Sequence, residues 1–140
     1  MRLEIAQSDD LATCHALRRI VFIEEQSVPE AEELDGRDSE ALHLLARLDG
    51  VAVGCARLLI EGETGKIGRV CVLSDYRGHG VGAALIRAAL DLLRGQPGVT
   101  RAKLGAQLHA LEFYQRLGFT AEGPDYLDAG IAHRDMVRQL

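Results

Sequence analysis

The chain has no apolar run near the roughly 18 residues that a membrane span requires. Arg57 interrupts one of the two best stretches, and Arg87 and Asp91 interrupt the other. It also lacks an excess of basic residues: sixteen lysines and arginines against twenty-one acids give a net charge of -5. The basic face that marks a non-specific nucleic-acid binder is therefore not expected. Cysteine is scarce and odd in number. Cys14, Cys55 and Cys71 lie far apart with no CxxC spacing, which indicates neither a disulfide framework nor a zinc site. Their apolar neighbours point to reduced thiols in the core. There is no internal repeat and no low-complexity tract. The opening Met1-Arg2-Leu3-Glu4 lacks the basic-then-apolar order of a secretory signal, so a cytoplasmic protein is expected.

What is present is the composition of an ordinary globule. The chain has 140 residues, of which 47% are hydrophobic and 26% charged, enough for one domain over residues 1–140 with a real core. The charge is unevenly placed. Residues 24–40 hold eight acids and a single arginine, a charge of -7, and the remainder sums to +2. Such a run reads either as a solvated surface segment or as a surface that attracts a cationic ligand.

Leu3 and Ile5 alternate with polar neighbours as in a short strand, and Ser8-Asp9-Asp10 then supplies a helix cap. Leu11, Cys14, Leu17 and Val21 form that helix's apolar stripe. Strands are predicted at 41–48 and 51–60 around the Asp49-Gly50 hairpin signal, and at 66–73 after a turn over 62–65. The period then changes from 2 to 3.6. Val81, Ala84, Leu85, Ala88 and Leu92 predict a helix that ends before Gly95. A strand at 102–106, a helix marked by Ala110, Phe113, Tyr114 and Leu117, and strands at 119–122 and 131–139 complete a mixed α+β order.

The most informative stretch is Tyr76-Arg77-Gly78-His79-Gly80-Val81-Gly82-Ala83, set between a strand and a helix. Three glycines in five residues let the backbone turn tightly and bring N-H groups close to a ligand. At a helix N-terminus those groups favour a phosphate or pyrophosphate, and Arg77 adds a fixed positive charge. A glycine-rich turn needed only for packing is the other reading. Gly78, Gly80 and Ala83 satisfy the loose dinucleotide pattern, but nothing acidic lies between Asp91 and Glu112 and the preceding strands form an antiparallel meander. A Walker loop is excluded because no Gly-Lys-Ser/Thr follows the glycines.

Arg77-Gly78-His79-Gly80-Val81-Gly82 resembles the Q/R-x-x-G-x-G/A loop of the GCN5-related N-acetyltransferase (GNAT) superfamily. The stretch from Gln107 through Ala110, Phe113 and Tyr114 to Gly118-Phe119 is similar to that family's second diagnostic segment, with Gln107 where many members have asparagine. Residues 21–29 and 128–133 resemble the ElaA/YjcF-like branch. The likeness runs over the whole chain and implies the GNAT acyl-CoA N-acyltransferase fold, a mixed and mostly antiparallel sheet flanked by helices.

The resemblance further implies acetyl-CoA as donor and a primary amine as acceptor, with direct attack in a ternary complex and no metal. It places the pantetheine arm along Val70, Cys71 and Val72, and the pyrophosphate on the loop from Arg77 through Gly78, His79, Gly80 and Val81 to Gly82. Gln107 and Tyr114 complete that side. Tyr114 matches the general acid, since a phenol and a departing thiolate are close enough in proton affinity to share a proton. Acceptor-side candidates are Glu25, His43, Arg57, Arg69 and His133, and the base is one of Glu25, His43, His109 and His133 or a water relayed from them. Glu25, within the acidic run, is the preferred contact for a cationic amine. The acceptor, a small molecule or a protein, is left open, as is a monomer against a homodimer. A non-catalytic acyl-CoA-binding or sensing domain is the alternative.

Overall fold

The structure is a computed structural model that describes residues 2–140. Seven strands form one sheet, β1 (Leu3–Gln7), β2 (Leu42–Leu48), β3 (Val51–Glu61), β4 (Thr64–Val72), β5 (Arg101–Gln107), β6 (Thr120–Asp128) and β7 (Ile131–Gln139), in the order β1-β2-β3-β4-β5-β7-β6. Helices α1 (Leu11–Arg18), α2 (Glu30–Glu33), α3 (Val81–Arg94) and α4 (Leu111–Arg116) connect them. No helix of the described residues is long and apolar enough to cross a membrane.

Asp10 caps α1 by accepting from the Thr13 backbone N-H at 3.1 Å, and the helix continues over Arg19–Glu25 with wider, π-type bonding. Its stripe, Cys14, Leu17 and Val21, packs on Leu45, Cys55 and Cys71 on one side of the sheet. Cys55 and Cys71 are register partners with their sulfurs 3.4 Å apart, and all three cysteines are free and buried, as their apolar neighbours predict.

On the other side α3 buries Val81, Leu85, Ile86, Ala89, Leu90 and Leu93 against Val53, Leu58, Ile67, Leu104 and Met136. The stripe predicted from period alone included Ala84, Ala88 and Leu92, which are only half-buried. The helix is apolar over most of its circumference, so periodicity alone does not choose the inward face.

Two boundaries also differ from the sequence expectation. Thr64 and Gly65 belong to β4 and not to the turn, because they pair with Glu61 and Ile60. β6 runs on past Glu122, since after an irregularity over Gly123-Pro124-Asp125 it pairs again, Tyr126 with His133.

The feature that positions the site is the meeting of β4 and β5. They pair in parallel only at Thr64 with Arg101, Gly65 with Ala102 and Lys66 with Lys103. Beyond Lys66, β4 stays with β3 and β5 stays with β7 as far as Gln107 and His133, so the two strands diverge. A register shift in β4 near Arg69, whose φ of 50° lies in the left-handed region, accompanies the divergence.

The acidic run folds back over this sheet as the partner of buried arginines. Arg18, 1% exposed, bonds Glu33 and also Asp38 at 2.8 Å. Arg57 binds Asp35 through both terminal nitrogens at 2.8 Å, and Arg69 donates to the Glu32 and Glu33 carbonyls at 3.1 Å. Six of the eight acids take an arginine partner, Glu25, Glu30, Glu33, Asp35, Asp38 and Glu40. The segment is thus neither merely solvated nor a free negative surface.

The Arg57 guanidinium holds the Asp35 carboxyl at about 2, below its ordinary 3.8. A depressed carboxylate contributes stability that is present above its unfolded value and is lost as pH falls through its folded one. Wild-type stability should therefore decline between pH 3.8 and about 2. Asp35→Asn should be less stable at neutral pH and lose less over that window, as urea midpoints measured at each pH will show.

Candidate active site

The loop after β4 carries the expected backbone geometry. Gly78 and Gly80 have φ of 82° and 79°, values that only glycine adopts without strain. Gly80 is the N-cap of α3 with no side-chain hydrogen bond, and Ala84 N-H donates to its carbonyl at 3.0 Å. The amides of Val81, Gly82 and Ala83 precede that bond and are the unsatisfied donors of a helix start. A Cβ built at either Gly78 or Gly80 would meet nothing within 4 Å. The loop is therefore open toward a ligand and not packed against a neighbour.

A cavity of ≈ 770 Å³ lies on this loop, floored by Val70, Cys71 and Val72 and bounded by Gly78, Gly80 and Gly82. A second, of ≈ 390 Å³, lies in the cleft between the diverging strands and is lined by Arg69, Tyr114, Tyr126 and His133. The two share Gln26, Val70, Gln107, His109 and Ile131. Gln107 is the junction. Its amide nitrogen donates to Gln26 Oε1 at 3.2 Å, and its oxygen lies 2.8 Å from His109 Nε2.

Tyr114 sits on α4 between Phe113 and Phe119, in edge-on packing at centroid distances of 5.0 and 6.0 Å. Burial pushes its phenol above the ordinary value, so it is protonated at neutral pH. Among the described residues the only buried side-chain polar atoms without a partner are Arg57 Nε and Arg69 Nε. Tyr114 Oη has no hydrogen-bond partner among the described residues and is not one of these buried atoms, and Tyr114 is one of the residues that line the cleft.

The other predicted residues divide. His79 does not line either cavity, although its glycine neighbours do. Arg77 lines the loop cavity, but Glu25 binds its two terminal nitrogens at 2.6 and 2.7 Å and the Val72 carbonyl accepts from its Nε at 2.9 Å. A residue expected at the phosphate and one expected at the amine thus neutralise each other. Of the acceptor-side candidates, Arg69 and His133 line the cleft cavity. His43 is turned to the Asp38 carbonyl, and Arg57 faces a smaller pocket with Lys66 and Lys103. Gln26, Gly105 and Tyr126 line the cleft without having stood out in the sequence. Tyr126 lies beyond the strand expected at 119–122, and only its register with His133 in the folded sheet brings it to the cleft.

A family model described as an acetyltransferase (GNAT) domain matches residues 11–140. The chain belongs to the GNAT acetyltransferase family. The Bacillus subtilis N-acetyltransferase YjcF is 33% identical over 99% of both chains. Escherichia coli ElaA superposes with a TM-score of 0.86 at 31% identity, covering 98% of this chain and 99% of that one. An acyl-CoA N-acyltransferase from Pseudomonas aeruginosa does so at 0.88 and 34%, with the same coverage. The resemblance to the ElaA/YjcF-like branch, the fold and the enzyme class expected from the sequence are thereby established for this GNAT protein.

The Arg77–Glu25 pair is about 40% exposed on both sides, and pairs of that kind contribute at most about 1 kcal/mol. Glu25→Gln should therefore shift the urea midpoint slightly at low salt and not measurably at high salt.

Proposed function

We propose that the loop cavity holds acetyl-CoA and that the cleft cavity receives a primary amine, which attacks the thioester directly in a ternary complex. The observation that carries this reading is an unpartnered, protonated phenol, Tyr114, in the cleft that adjoins a loop of free amides. The residues fit such a donor. Glycine amides at the start of α3 suit a pyrophosphate. The free edge of β4 beyond Lys66 offers backbone groups to an extended amide-bearing arm, as a sheet edge does to a peptide. The printed name of the Pseudomonas relative, an acyl-CoA N-acyltransferase, agrees with this donor class.

Each residue then has a task. The amides of Val81, Gly82 and Ala83 bind and orient, and Gln107 fixes the junction between donor and acceptor. A backbone N-H on the β4 edge near Val70 stabilises the charge that develops on the thioester oxygen. Tyr114 Oη donates a proton to the departing sulfur. None of this uses Cys71 as a nucleophile. A domain that only binds or senses acyl-CoA would have no use for a free phenol at the junction.

The reading is tested by free-thiol release from acetyl-CoA with a panel of primary amines. Tyr114→Phe should slow turnover by about 10² to 10⁴-fold, the range of a lost general acid, with donor affinity nearly unchanged. An unaltered turnover, with chemistry rate-limiting, would leave Tyr114 a packing residue. Gly80→Val should abolish acetyl-CoA binding in calorimetry. A branched residue is strained at a φ of 79°, and its Cβ would project into the open space that the donor needs. Circular dichroism will confirm that the variant folds.

A further inference from the structure

An amine acceptor arrives as an ammonium ion and must lose a proton, while Tyr114 can only supply one. Two imidazoles line the cleft, and in each an oxygen that only accepts fixes the role of the ring nitrogens; His109 is exposed and turned to Gln107, whereas His133 is buried among the residues of the cleft. Nδ1 lies 2.6 Å from the Ile131 carbonyl oxygen. A carbonyl only accepts, so Nδ1 carries the hydrogen and Nε2 of the neutral ring carries the lone pair. That contact is the ring's one hydrogen bond among the described residues. Nε2 is not among the buried unpartnered atoms, and His133 is one of the residues that line the cleft cavity.

The ring is also held in place. Tyr126 stacks on it at 5.9 Å with planes 21° apart, and the Tyr126 hydroxyl donates to Asp135 Oδ1 at 2.7 Å. Tyr126 can lie there because β5 has glycine beneath it: a Cβ at Gly105 would run into Tyr126 Oη. The 9% exposure of His133 reflects this packing.

The surrounding charges favour an incoming cation. Glu33 is committed to Arg18 and Arg69, His109 to Gln107, and Asp135 to Tyr126 and Lys103. Glu32 from α2 and Asp128 from β6 line the cleft without an ion-pair partner among the described residues. Two uncompensated carboxylates thus draw an ammonium toward the ring.

We propose that His133 is the general base of this enzyme, its Nε2 taking the proton of the acceptor amine. The inference rests on the transferase reading above. The nitrogen–carbon bond forms and the carbon–sulfur bond breaks. Nε2 takes one proton from the ammonium, which frees the lone pair for attack, and the imidazolium releases that proton to solvent. The nitrogen of the adduct then gives its second proton to the same Nε2, the leaving sulfur takes the Tyr114 proton, and solvent reprotonates the phenolate and receives the proton from the imidazolium. The ammonium thus loses two protons, one matched by the thiol formed and one released, so the balance closes without a further reactant.

The test compares wild type with His133→Gln, using acetyl-CoA and four nucleophiles: putrescine, tyramine, glycylglycine and hydroxylamine. The last is already unprotonated at neutral pH and needs no base before attack, and its acidic adduct releases the remaining proton to solvent. The variant should lose about 10² to 10⁴-fold in kcat/KM with the alkyl amines, lose the inflection on the acid side of the pH profile, and keep its background-corrected rate with hydroxylamine. Equal losses with all four would show a structural role and overturn the proposal, as would an unchanged pH profile. Long-range proton–nitrogen spectra of the wild-type imidazoles supply a readout independent of turnover and of variant folding. They should show His133 protonated on Nδ1 and bare on Nε2 at pH 8, and the opposite tautomer would overturn the assignment. Wild-type protein inert toward all four nucleophiles would remove the reading of the cleft as a small-amine site and the base with it, whereas active wild type with an unaffected variant would remove the base alone.

Discussion

The parting of β4 from β5 is the constraint on which the rest of the molecule depends. Three residue pairs join the strands, and beyond Lys66 each keeps only its outer neighbour. A backbone edge inside a protein must meet water or a polar partner, because an unpaired N-H or carbonyl in a dry interior is costly. The opening therefore leaves backbone groups that water or a ligand must satisfy. Both cavities touch it, and their shared residues come from its two sides, Val70 from β4 and Gln107 from β5. The left-handed φ at Arg69 belongs to the same device. A residue that is not glycine stores about 1 to 3 kcal/mol of strain in such a conformation and needs surrounding structure to hold it there. Here the holding groups are the Glu32 and Glu33 carbonyls, which accept from the Arg69 guanidinium.

That contact explains why the acidic run is where it is. Arg18, Arg57 and Arg69 lie on the sheet side, and Glu33, Asp35 and Asp38 answer them from the chain that crosses above. Desolvating ion pairs gives little net stability, but removing one member leaves a buried charge alone, at a cost of about 3 to 5 kcal/mol. Such a network fixes position more than it stabilises. It locks α2 at one height over β4, and α2 supplies the wall that carries Glu32. Of the carboxylates that the segment leaves without an arginine partner, Glu32 alone lines the cleft, and most of the segment's charge is spent on architecture.

Much of this was legible in the sequence, for reasons that differ by element. The β2–β3–β4 meander followed from alternation and an Asp-Gly turn, which are local signals. The loop at Gly78 and Gly80 was legible because positive φ is a local demand that glycine meets. Tyr114 could be singled out only through the family-like segment around it, since its spacing from Ala110 equally suits a packed tyrosine. Pairings across long separations were not legible. Composition shows that residues 24–40 are acidic, but not that Arg18, Arg57 and Arg69 would be buried beneath them. Arg77 and Glu25 stand 52 residues apart, and each alone looked available to a ligand. The inward face of α3 was hidden for the opposite reason, an excess of apolar positions.

In the mechanism proposed above, the cleft divides acid from base by environment. Tyr114 stands on α4 between two aromatic rings with no polar neighbour at its oxygen, and burial there disfavours the phenolate, so the group holds its proton until a sulfur anion departs beside it. His133 stands on β7, where a carbonyl takes the hydrogen of one ring nitrogen and thereby leaves the other free to receive. A tyrosine cannot serve as the acceptor of that proton at neutral pH, and an imidazole bound to a carbonyl through Nδ1 can offer only Nε2. In that proposal the two proton roles are thus set by surroundings that involve no ligand, burial at Tyr114 and a carbonyl at His133. Gly105 helps to hold the His133 ring, because only a residue without a Cβ leaves Tyr126 room to stack on it.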